Sequence, residues 1–119
     1  GYKKKPAYPA AYPDVFAVTA ITRKRAIYSM ANQGKYVDFS APGVNVWTAI
    51  PGGGKVQTGT SFATPFISVL VGLDVARGVK PNPDKLRKLM RKRIIDLGKV
   101  GRDSVYGWGL INRKRTCMT

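Results

Sequence analysis

The sequence has no histidine and no glutamate. The missing histidine removes the commonest general base, a fact that any hydrolytic reading has to face. The six acids are all aspartates, at positions 14, 38, 74, 84, 96 and 103. A single cysteine, Cys117, excludes an internal disulfide and reads as a free thiol in a loose tail. No apolar stretch is long and unbroken enough to span a bilayer. The opening "GYKKKPAYPA" shows no signal peptide. Gly1 stands where an initiator methionine would be, so further sequence is expected upstream. Internal repeats and low-complexity segments are absent as well.

What is present is a chain of 119 residues, enough for one modest domain. A domain of that size buries roughly 65% of its unfolded surface. The hydrophobic fraction of 44% is that of a globular protein. Lysine and arginine number 21 against the 6 acids, a formal net charge of +15. The basic residues cluster at Lys3–Lys5, Arg23–Arg25, Arg87–Arg93 and Arg113–Arg115. A basic module binding nucleic acid or another polyanion is therefore one reading. It is not the favoured one, because basic runs are usually solvated faces and these carry no nucleic-acid motif.

Residues 1–14 hold three prolines and read as an extended surface loop. "VFAVTAI" (15–21) is a short β-branched apolar run, a buried strand, and "TRKR" an exposed basic turn. "YVDFSAPGVNVWTAI" (36–50) reads as two strands split at Ala41-Pro42-Gly43. "PGGG" (51–54) follows as a flexible loop and "KVQTG" as a short strand. Ser61 to Arg77 is long enough for a helix of four to five turns, stopped by Gly78. Its apolar residues point every way round the axis, so burial on all sides is expected. Pro65 is placed in its first turns, where a missing N–H costs least. A second helix is expected over 82–98, with Asn82 capping, Pro83 in first position and Gly98 terminating. Leu86, Leu89, Met90 and Ile94 share its apolar face, and its basic residues occupy the rest.

A hydroxyl at the mouth of a buried helix has two readings. Thr60 or Ser61 serves as an N-cap, as Ser and Thr do everywhere. Alternatively Ser61 is a nucleophile at the positive end of a helix dipole, with a backbone N–H free to donate to an oxyanion and Gly59 leaving room for substrate. The pattern is no G-x-S-x-G elbow, because Ala63 occupies the second glycine position.

The wider context favours the nucleophile. "GTSFATP" resembles the G-T-S-M-A-[ST]-P signature around the catalytic serine of subtilisin-like serine proteases (subtilases, peptidase S8). "DFSAPGV" (38–44), "YPAAYPDVFAV" (8–18) and "YGWGLIN" (106–112) resemble three further blocks of that family, in its order and with similar spacing. The resemblance covers about Pro6 to Asn112. It implies an α/β chain, the C-terminal portion of a three-layer fold with a mainly parallel sheet flanked by helices. Residues 1–112 would be that segment and 113–119 a basic tail. Ser61 matches the nucleophile and one oxyanion donor, Thr60 and Gly59 its supporting neighbours, and Ala7 the base of the substrate pocket. Phe62, also at the substrate side, replaces the usual methionine. Tyr8-Pro9 matches a peptide bond that is cis in the family. The implied substrate is a polypeptide, and the family's habit implies secretion.

The departures matter as much. The family's catalytic Asp and His and its oxyanion-hole Asn all lie upstream of its serine, in segments that would precede Gly1. In subtilisin itself, losing the His costs about 10⁶ in turnover and losing the Asn roughly 10²–10³, figures that belong to that enzyme. The 119-residue chain alone is therefore expected to be inactive, and its partner is the missing N-terminal part of the same catalytic domain. With a sheet edge and much of the serine helix uncovered, it is also expected to be marginally stable in isolation. A degenerate pseudoprotease remains the third reading, opposed by the intact serine motif. No cofactor is required. Asp38, with carbonyls matching Ala10, Tyr12 and Val15, matches a weak structural cation site (calcium or sodium) of some members, although Tyr36 replaces a second acid there. The plain alternative is a solvated or turn-capping Asp38.

Overall fold

The structure, a computed structural model, describes residues 4–112. Lys3, the Arg113–Arg115 cluster, Cys117 and the 113–119 tail lie outside the described residues. The four-stranded sheet runs in the order β1-β2-β6-β5. β1 (Val18–Ile21) and β2 (Phe39–Pro42) pair in parallel, from Val18 against Phe39 to Ile21 against Pro42. β6 (Leu110–Ile111) joins β2 in parallel at Ser40, and β5 (Ile94–Ile95) closes the sheet antiparallel to β6. The sheet is thus mainly parallel, as expected for the α/β reading. A separate hairpin pairs β3 (Val46–Ile50) with β4 (Gly53–Gln57). Its turn is Pro51 followed by Gly52 at φ 83°, the chemistry of a tight turn with a left-handed second residue. Gly53 and Gly54 therefore belong to a strand and not to the flexible loop expected of them.

Helix α1 (Thr60–Ala76) packs on β1 and β2. Its buried residues are Ala63, Ile67, Leu70 and Asp74, spaced by four, three and four along one face. Ala63 and Ile67 join Ala20, Phe39, Ala41 and Met90 in the core cluster. The small alanines on both surfaces let the helix lie close to the sheet. One flank departs from all-round burial: Phe66, Val69 and Leu73 are 43%, 60% and 42% exposed. Pro65 is the sixth residue of α1, within the first two turns. It has no N–H for the Ser61 carbonyl, while the Thr64 hydroxyl donates to the Thr60 carbonyl at 3.0 Å.

Helix α2 spans Pro83–Arg91 and stops well short of Gly98. Its start is as expected: the Asn82 side chain accepts from the Lys85 N–H at 3.0 Å and Pro83 opens the first turn. Its end differs because Ile94 and Ile95 are β-branched and find a strand partner in Leu110 and Ile111. The basic residues also divide. Arg93 pairs with the buried Asp74 of α1 through both terminal guanidinium nitrogens. Arg91 lies 3.5 Å from the Trp108 ring centroid, and Arg87 turns towards Asp38. Lys85, Lys88 and Lys92 remain outside, lining a groove of about 520 Å³ with Lys80 and Leu89.

The segment before β1 is a succession of turns rather than an extended loop. The Ala11 N–H donates to the Ala7 carbonyl at 2.8 Å, and the Tyr12 N–H to the Pro9 carbonyl at 3.1 Å. The Tyr8–Pro9 bond is cis, as the resemblance implied.

Candidate active site

The exposed Ser61 sits in the first turn of α1, beyond the C-terminal end of β2. The mouths of parallel strands are where open α/β sheets place their sites. Gly59 anchors this turn, its N–H donating to the Gly43 carbonyl at 2.8 Å. A methyl group on Gly43 would stand 2.6 Å from the Ala20 methyl and 2.7 Å from the Gly59 carbonyl oxygen. Only glycine fits the junction between the sheet and the serine turn. On the other flank the Asn45 N–H donates to the Thr58 hydroxyl at 2.9 Å, tying the chain before the helix to the chain after β2.

The N-cap is Gly59, and no side chain caps the helix. Neither Thr60 nor Ser61 therefore spends its hydroxyl on the capping role that sequence alone had to weigh. The Ser61 amide belongs to the first turn, where N–H groups lack intrahelical acceptors. Hydroxyl, free amide and dipole thus meet at one solvent-facing point, an arrangement suited to stabilising negative charge on an attacked carbonyl. Phe62 is half-buried beside it, and its N–H donates to the Gly59 carbonyl at 3.1 Å. Ala7 is half-buried in the separate run of turns ahead of β1, with Tyr8 and Tyr12 exposed around it.

Five of the six acids are committed elsewhere, and Asp14 is exposed in the turns before β1. Asp38, Asp74 and Asp84 face arginines, while Asp96 and Asp103 accept backbone N–H groups. Asp74 shares α1 with Ser61 but lies thirteen residues along, roughly 20 Å away at helical rise. No triad partner for Ser61 exists among the described residues.

Asp38 departs from both of its expected roles. It is buried, so it is neither solvated nor at an open turn. Its Oδ2 accepts the Ala17 N–H at 3.0 Å, and its Oδ1 faces Arg87 Nε at 3.2 Å and Arg102 Nη2 at 3.4 Å. Arg87 Nη2 also donates to the Val15 carbonyl at 2.7 Å. Two of the four groups matched to a cation site thus already serve one guanidinium, and the residues present do not fit a metal. Among the described residues no cluster of three His, Cys, Asp or Glu side chains could hold one. Sequence reasoning missed Arg87 and Arg102, which lie 49 and 64 residues from Asp38. It also missed the Asp74–Arg93 pair, for which the position of Asp74 on the Ala63-Ile67-Leu70 stripe was a readable signal.

Comparison with known proteins follows the same lines. A family model described as the Subtilase family matches residues 1–109. The chain is 41% identical over 115 residues to the minor extracellular protease Epr of Bacillus subtilis (strain 168), covering 96% of this chain and 18% of that protein. It is 36% identical over 95 residues to halolysin of Haloferax mediterranei, covering 77% of this chain and 18% of that one. Among solved structures, a lanthipeptide protease superposes with a TM-score of 0.80 at 25% identity, over 92% of this chain and 42% of that one. The prenylagaramide maturation protease PagA gives 0.73 at 28%, over 92% of this chain and 43% of that one. The chain therefore spans under half the length of each of these relatives.

Proposed function

The chain belongs to the subtilase family, and from that premise we propose that it is the nucleophile-bearing part of a serine endopeptidase. The carrying observation is Ser61, exposed and uncapped at the start of α1. In the intact protein Ser61 Oγ attacks the scissile carbonyl of a polypeptide. An upstream His takes the hydroxyl proton and passes it to the leaving amine, and an upstream Asp orients that His. The Ser61 N–H and an upstream Asn receive the oxyanion. Thr60 and Gly59 support this turn, and Ala7 and Phe62 contribute to the pocket for substrate. The intact enzyme is secreted on this reading, which the name of the extracellular relative supports. No helix among the described residues is long and apolar enough to cross a membrane.

The test uses the protein translated from the whole reading frame. A fluorophosphonate probe labels Ser61 covalently, and Ser61→Ala lowers peptide turnover by about 10⁶, the loss known from subtilisin itself. The 119-residue chain alone shows neither labelling nor turnover. Undiminished turnover in Ser61→Ala would refute the proposal.

A further inference from the structure

We propose that Arg87 takes the place of the cation that the family resemblance implies between the loop ahead of β1 and Asp38. The protein then binds no metal ion at Asp38, and an arginine fastens this loop permanently.

The geometry is that of a bridging cation built into the chain. Arg87 directs each of its nitrogens to a different acceptor: Nε to Asp38 Oδ1 at 3.2 Å, Nη2 to the Val15 carbonyl at 2.7 Å and Nη1 to Asp84 Oδ1 at 3.3 Å. These acceptors belong to three separate stretches: the entry to β2, the turns before β1, and α2. The guanidinium lies 4.9 Å from the Phe16 ring centroid and its side chain is 16% exposed. A planar fork with several donors suits this role better than an ammonium would.

The remaining donors leave little for a metal. Both oxygens of Asp38 are already engaged, Oδ2 by the Ala17 N–H and Oδ1 by Arg87 and Arg102. The Tyr12 carbonyl accepts the Val15 N–H at 3.1 Å. Two guanidinium charges face the one buried carboxylate, with the exposed Asp84 as the second acid of the group. A further cation would either expel Arg87 or stand beside two like charges in a half-buried setting. The fastening fixes the turns at 7–15, so Arg87 acts on that loop as a positioning residue. This inference stands apart from the protease reading, because its test counts ions and not turnover.

The experiment is a calcium-binding stoichiometry by titration calorimetry on the full-length protein, compared with Arg87→Gln and Asp38→Asn. Wild type and Asp38→Asn bind the same number of ions. Arg87→Gln binds one more, and calcium raises its melting temperature more than that of wild type. A wild type that binds one ion more than Asp38→Asn, or an Arg87→Gln that gains none, overturns the proposal. Wild-type crystals soaked in terbium supply an arm that needs no variant. No anomalous peak at bonding distance from Asp38 sustains the proposal; a peak there sinks it.

Discussion

Helix α1 carries apolar side chains on every side, whereas α2 confines them to one. α1 buries one stripe against the sheet and leaves Phe66, Val69 and Leu73 in solvent on one flank. α2 buries Leu86 and Met90 and gives its outer face to lysines. α2 is complete as it stands: it is capped at its start, acidic in the first turn and basic in the last. α1 has the composition of a helix covered all round, and the described residues cover half of it. The contrast distinguishes a helix whose apolar face is covered among the described residues from one whose apolar surface is covered only in part.

The largest break in that contrast comes where α1 is joined to the segment just past α2. Asp74→Ala leaves Arg93 without its partner and is expected to cost about 3–5 kcal/mol, because an orphaned buried charge is not compensated. Urea denaturation reads this directly; a loss under about 1 kcal/mol would mean that water reaches the Arg93 guanidinium easily. The outer face of α1 gives the next effect. Phe66→Ser is expected to destabilise the intact protein by about 1 kcal/mol more than it does the 119-residue chain, since only the former can bury the ring fully. Equal losses in the two would show that upstream sequence leaves this face bare. The smallest effect belongs to the lysine side of α2. Lys88→Gln should change stability by no more than about 0.5 kcal/mol, and a larger loss would give that groove a structural role.

These helices also show which parts of the molecule were legible in advance. Asn82 and Pro83 announced the start of α2 because capping is a local matter, settled within three residues. The strands at 18–21 and 39–42 were legible as apolar runs bounded by turn residues, while the serine motif was legible only through its resemblance to the family signature. The end of α2 was not. Ile94-Ile95 fits a helix as well as a strand until its partner at 110–111 is known, and that partner is distant in sequence. The inward arginines were hidden by a different cause. Binary patterning assigns every arginine to solvent, yet a long side chain with a flat charged tip can bury its stem and still reach a carboxylate. Arg87 and Arg102 beside Asp38 are therefore invisible to a reading that weighs only a cation site, solvent or a turn cap for that carboxylate.

The contact between Gly43 and Gly59 has a consequence in mechanical terms. Where two backbones meet with no side chain between them, there are no rotamers at the joint and so no play. Ser61 stands two residues past that joint. Its position inherits the stiffness of the sheet. The hydroxyl at the mouth of α1 is thus mounted on backbone alone, as a fixed point rather than a hinged one.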